Sequence, residues 1–213
     1  MAEPEPWTRI YNRVKSQITA APDELIRQEV FQVMIDFTQD TNVWIEEVPL
    51  LIEPDKTAYP FEVVSGTPYR LLIVYNNDPN NVNNANRVKW ADGNITMRVP
   101  GVIQLFNKPT TSHNWVAVVA KACNDYRGDT GYPEIDDWIV TQYNDVVYYG
   151  VMYFLQRMPA KPFGNPQAAA QNSAMYHSQK SQLRVNNLRS NVFGGQAWTY
   201  PQTFATITRK GWQ

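Results

Sequence analysis

Residues 133–170 read PEIDDWIVTQYNDVVYYGVMYFLQRMPAKPFGNPQAAA, and they decide the helical half of the fold. Ile135, Trp138, Ile139, Val146, Tyr149, Tyr153 and Phe154 share one face at helical spacing. That spacing predicts the longest core helix of the chain, from Pro133 and Glu134 to about Arg157. Gly150 lies in its middle at a cost of about 1 kcal/mol relative to Ala, so a crossing element is expected to approach closely there. Residues 158–164 cannot continue the helix, because Pro159 and Pro162 lack amide donors and restrict what precedes them. Asn165 and Pro166 then offer an N-cap and a first-turn proline for a further helix through Ala168 to about Asn187.

Upstream, Trp7, Ile10, Tyr11, Val14 and Ile18 form the apolar stripe of a short helix over 7–18. After Pro22, Asp23 and Glu24 place negative charge in the first turn of a second helix carrying Ile26, Val30, Val33, Met34 and Phe37, which runs to about Thr38. From Asn42 the pattern changes to β-branched and aromatic segments separated by Pro, Gly and Asn. Strands are expected at 43–52, 59–64, 69–75, 87–91, 94–99, 101–106 and 114–122. Asp92-Gly93 reads as a type I′ hairpin turn. The Asn-rich stretch 76–86 has too little apolar area to pack and reads as an exposed loop. The fold class expected is α+β: an antiparallel helix bundle of about four helices with an inserted antiparallel β-sandwich or barrel-like domain and an extended C-terminal arm. The divisions are 1–41 and 126–189 for the helices, 42–125 for the β domain and 190–213 for the arm.

The net charge of −1 conceals a separation. Residues 1–145 carry 12 Lys and Arg against 20 Asp and Glu, a net of −8, whereas residues 146–213 carry seven basic residues and no acid. Those seven, Arg157, Lys161, Lys180, Arg184, Arg189, Arg209 and Lys210, are too dispersed for a polybasic membrane anchor and read as a docking surface. Solvation of a helix face is an equal reading for Lys180 and Arg184. No apolar run reaches the roughly 18 residues that a membrane span needs. The acidic, Pro-rich start, Glu3 to Pro6, is the reverse of a secretion signal, so residence in the cytoplasm is expected.

Beyond Ser190 there is neither helical periodicity nor hairpin chemistry, yet the segment holds Phe193, Trp198, Tyr200, Phe204, Ile207 and Trp212. Solvated tails are poor in such residues. Fully extended, the segment spans about 80 Å, more than the diameter of a domain this size. An arm hinged at Gly194-Gly195 that inserts into a neighbouring subunit or partner accounts for it better than a tail folded back on its own β region.

Signatures of catalysis are missing. There is no Walker loop, dinucleotide-binding glycine motif, Gly-x-Ser-x-Gly elbow or His-Glu-x-x-His motif. Glu134, Asp136 and Asp137 read as dipole-complementing residues of a helix start. Cys123 has no nearby His and reads as a buried or semi-buried structural thiol, and His113 and His177 as surface imidazoles. The single cysteine excludes an internal disulfide framework and a multi-thiolate metal site within one chain. No cofactor and no enzymatic activity are expected. Basic residues interleaved with aromatics leave only a thin footprint for nucleic-acid binding.

The run from Tyr132 to Ala170 resembles the head-to-tail adaptor (connector, or neck) proteins of tailed bacteriophages. In that family a helix entered at a Pro and acidic residues carries a central Gly and closes in a Lys-Pro-aromatic turn, here Lys161-Pro162-Phe163. An Asn- or Asp-Pro, here Asn165-Pro166, then opens the last helix. Glu29-Val30-Phe31 and Thr41-Asn42-Val43-Trp44, leading into a β insertion, look similar to the same pattern, and the likeness covers about residues 23–190.

The resemblance implies a virion protein, made in the host cytoplasm, whose copies form a ring of usually twelve beneath the portal. The ring connects the portal to the tail or tail-terminator protein, and packaged DNA passes through without sequence recognition. It also implies that the carboxy-terminal arm docks on the portal, here through Arg184, Arg189, Phe193, Trp198, Tyr200, Phe204, Ile207, Arg209, Lys210 and Trp212. One alternative is a sugar- or peptide-binding module built on the β region with Trp90, Trp115 and the Asn-rich loop. The other is a hydrolase using dispersed carboxylates such as Asp136 and Asp137.

Overall fold

The computed structural model describes residues 6–76, 94–123 and 135–190. It is a mixed α+β protein, and among the described residues it has five helices and two small antiparallel sheets. Helix α1 (Pro6–Gln17) and helix α2 (Asp23–Thr41) come first. Helix α2 stops where Asn42 enters the left-handed region (φ 50°) and returns its N–H to the carbonyl of Thr38. The predicted end falls about one turn short of this.

Strands β1 (Ile45–Ile52), β2 (Ala58–Pro60), β3 (Thr67–Asn76), β4 (Ile95–Val99), β5 (Val102–Leu105) and β6 (His113–Ala122) follow. One sheet has the order β1-β6-β3 and the other β2-β5-β4. The long predicted strand at 59–64 shrinks to the three residues of β2, and Phe61 instead donates its amide to the carbonyl of Gly101 at 2.8 Å. Between β4 and β5 the chain reverses at Pro100-Gly101, with Val99 paired to Val102 and Gly101 at φ +79°. Proline then positive φ is the order a type II turn requires. The predicted strand 87–91, the Asp92-Gly93 turn and nearly all of the Asn-rich stretch lie outside the described residues.

One apolar cluster joins the sheets through Val48, Leu50, Ile52, Val74, Ala117 and Val119 on one side and Tyr59, Ile103 and Leu105 on the other. A second cluster holds the helices together, with Ile10, Val14, Ile26, Val33, Met34, Phe37, Val147, Val151 and Leu155 fully or almost fully buried. Val43, Trp44 and Cys123, where the chain enters and leaves the β region, belong to the helical cluster. The helices before and after the β insertion therefore close on one core.

The predicted long helix over 133–157 is two helices, α3 (Asp137–Gln142) and α4 (Asn144–Gln156). The break is at Tyr143, whose backbone (φ −107°, ψ 22°) leaves the helical region. Its half-buried ring packs against Phe37 at 5.3 Å and Trp138 at 6.4 Å, so the side chain stays against the core while the backbone turns. The longest helix is instead α5 (Pro166–Ser190), 25 residues, capped as predicted by Asn165, whose side-chain oxygen accepts the amide of Ala168 at 3.1 Å.

The close approach expected at Gly150 is present. A β-carbon there would lie 2.6 Å from Cγ1 of Val33 on α2 and 2.9 Å from Cε2 of Tyr176 on α5. Glycine is needed because three helices meet at this residue.

Candidate interaction surface

The acid-free last third of the chain divides in a way its sequence does not announce. Lys180 is not part of an outward docking surface: its side chain is 11% exposed and its ammonium donates to Asp36 at 2.8 Å and pairs with Asp40 at 2.6 Å. Tyr176, one turn earlier, donates its hydroxyl to the same Asp36 oxygen at 2.5 Å. The inward stripe of α5 is largely polar, which is why an apolar-periodicity reading under-rates this helix. Asn172 donates to Gln156 at 2.8 Å, and Asn187 donates to the carbonyl of Thr41 at 3.0 Å.

Arg157, Lys161 and Arg184 are exposed. Arg157 stacks its guanidinium over Phe154 at 4.4 Å and Tyr153 at 5.3 Å, at the turn between α4 and α5. Arg189 lies in the last turn of α5. Phe193, Trp198, Tyr200, Phe204, Ile207, Arg209, Lys210 and Trp212 lie outside the described residues. Met175 (45% exposed) and Val185 (44% exposed) are large apolar side chains on α5 that the core leaves uncovered.

Of the predicted carboxylate cluster, Glu134 lies outside the described residues and Asp137 sits in the first turn of α3, as its dipole reading requires. Asp136 does something else: its Oδ2 accepts the indole N–H of Trp44 at 2.9 Å. Trp44 in turn carries the buried Lys121, whose ammonium stands 4.4 Å from the ring centroid and donates to Glu46 at 2.8 Å. Gly66, at φ +76°, has its missing β-carbon 2.6 Å from the same ring. This cluster is the joint between the β region and the helices.

Lys121 is 4% exposed and Glu46 21%, so removing one partner strands a charge in a poorly hydrated place. Lys121→Met is expected to destabilise the protein by about 2–4 kcal/mol in urea unfolding, and adding Glu46→Gln to recover most of that loss. Equal stability of the single variant and the parent would contradict this role for the joint.

Cys123 is buried, and His113 and His177 are exposed, as expected from the sequence. Trp115, proposed for a ligand platform, is half-buried and packs against the apolar cluster between the sheets. Trp90 lies outside the described residues. Among the described residues no group of three or more His, Cys, Asp or Glu is placed to hold a metal ion, and no helix is long and apolar enough to cross a membrane. No protein-family model matches the chain, and no curated protein matches it.

Proposed function

We propose that this chain is a structural head-to-tail adaptor of a tailed bacteriophage. Copies form a ring, of twelve by resemblance, that docks on the portal through residues 190–213 and connects it to the tail while DNA passes through. In this reading the helices form a bundle and the sheets an inserted domain. The protein is not an enzyme and takes no cofactor.

The observation that carries the reading is the way the segments on either side of the β insertion close on one core, with Gly150 at the crossing and α5 issuing from it. That arrangement supports the resemblance in element order, in the central glycine and in the Asn-Pro start of the last helix. The six large apolar residues beyond Ser190 follow in sequence a helix whose Asn172, Lys180 and Asn187 already bond to α4 and α2. Aromatic side chains and arginine are the types enriched among interface hot spots, and cationic charge steers association with an acidic partner.

Deleting residues 191–213 is expected to leave the far-ultraviolet circular dichroism and the cooperative unfolding of the remaining chain intact while abolishing co-sedimentation with portal-bearing particles. Retained co-sedimentation of the shortened chain would refute the assignment of docking to the arm.

A further inference from the structure

We propose that a second copy of this chain docks its helix α3 on the outward face of α5, so that Trp138 and Asp137 of one copy meet Val185 and Arg184 of the next. This rests on the ring of the proposed function and names the faces that join its copies. Both patches are open to a partner: Trp138 is 49% exposed and Val185 44%, and the charged residue beside each is exposed too. Among the described residues no ion pair engages Asp137 or Arg184.

The fold puts the two patches on opposite sides of the helices. Helices α2 and α4 pack on each other, and α1 and α5 each pack on both of them but make no extensive contact with one another. Two helices cannot fill the same groove without touching, so α1 and α5 occupy opposite grooves. Helix α3 packs on α1 and α4, which places it on the side away from α5. On α5, Tyr176, Lys180 and Asn187 bond inward to α2. At about 100° per residue Val185 lies roughly opposite them. Ser178 and Ser181 share its side, are exposed, and leave room for an indole close to the helix.

The patches also stand at one level. Trp138 is 6.4 Å from the Tyr143 ring, which packs on Phe37, and Asn187, two residues beyond Val185, donates to the carbonyl of Thr41. Phe37 and Thr41 are one turn apart on α2. Unlike faces on opposite sides at one level join head to tail with little rise from copy to copy, the geometry that closes a ring instead of winding a filament. Burial of the indole supplies the affinity, since tryptophan is among the types enriched at interface hot spots. The Asp137–Arg184 pair, exposed at the rim, sets partner and register more than strength.

Sedimentation of the full-length chain over a concentration series should show self-association. Trp138→Ala should weaken it about thirtyfold. Asp137→Lys and Arg184→Glu should each weaken it about tenfold, and the two reversals combined in one chain should restore it. Val185→Glu, on an exposed helix face, should also weaken it and keeps the test valid if Trp138→Ala disturbs α3. A short bis-maleimide should link an Asp137→Cys chain to an Arg184→Cys chain in a mixture and give no homodimer from either alone, Cys123 being buried. A parent that stays monomeric up to about 1 mM would overturn the proposal. So would association unchanged in both Trp138→Ala and Val185→Glu, a double reversal no better than its single changes, or homodimers from one cysteine variant. The test needs no portal. A chain that self-associates in this way yet ignores portal-bearing particles contradicts the adaptor reading alone, and one that binds particles but never itself contradicts this proposal alone.

Discussion

Gly150→Val is expected to unfold the helical half of the protein or to leave it without cooperative melting. A β-carbon at this position would stand 2.6 Å from Val33 Cγ1 and 2.9 Å from a ring carbon of Tyr176, and both neighbours are almost completely buried, so neither has room to move aside. Overpacking a tight core costs about 1–3 kcal/mol and sometimes more, and here the branched side chain adds three carbons where even the first has no space, against a total stability of about 5–15 kcal/mol. The diagnostic comparison is Gly150→Ala. In a solvent-facing helix that change stabilises by about 1 kcal/mol; at this crossing the sign reverses, and a net loss of about 1–2 kcal/mol is expected in denaturant titration. An alanine variant as stable as the parent would mean that α2, α4 and α5 do not meet closely there.

Lys180→Met is expected to lower the midpoint of thermal unfolding by about 5–10 °C. The methionine keeps the aliphatic packing but leaves Asp36 and Asp40 without their shared cation. A fully buried pair broken in this way costs about 3–5 kcal/mol. The two carboxylates here are 41% and 50% exposed, so about 2–3 kcal/mol is the expected loss.

The same cluster is expected to lose stability in alkali. Burial pushes the Tyr176 phenol up from its ordinary 10.0, and its hydrogen bond to Asp36 and the negative charges of Asp36 and Asp40 push in the same direction. For Lys180 burial acts downward, but hydrogen bonds to Asp36 and Asp40 outweigh it, and the net direction is up from 10.5. Both groups hold their protons more tightly folded than unfolded, so their contribution is complete below about pH 10 and is lost as pH rises beyond it. Stability should fall as pH climbs from 9.5 to 11.5, and Tyr176→Phe should make that fall shallower. A flat profile across that range in the parent protein would contradict the arrangement.

What the sequence disclosed was local. The α1 and α2 stripes, the Asn165 cap and the demand for a close neighbour at Gly150 all follow from helical spacing or from one residue's conformational preference, and each depends on residues within a few turns. The break at Tyr143 was hidden because the apolar period runs through it: Ile139 and Val146 stay on the core side while the backbone changes direction between them. Helix α5 looked shorter and less central than it is because its inner stripe is polar, and the partners of Tyr176 and Lys180 lie 140 and 144 residues away. A reader could have noticed Asp36 and Asp40 one turn apart on α2 and Tyr176 and Lys180 one turn apart on α5, but nothing local pairs the two sets. The strand order β1-β6-β3 and the Trp44–Lys121–Asp136 joint are likewise products of long-range packing. Of the predicted docking residues, Arg184 is placed on the surface, and the aromatic positions after residue 190 lie outside the described part of the chain.

The adaptor reading rests on the claim that the last two dozen residues grip another molecule. Electron micrographs of the purified full-length chain mixed with portal-bearing particles address it most directly. The account predicts ring-shaped density at the portal vertex, with the segment after Ser190 running into the portal. Bare portals beside free single subunits, each with that segment packed along its own β region, would contradict it.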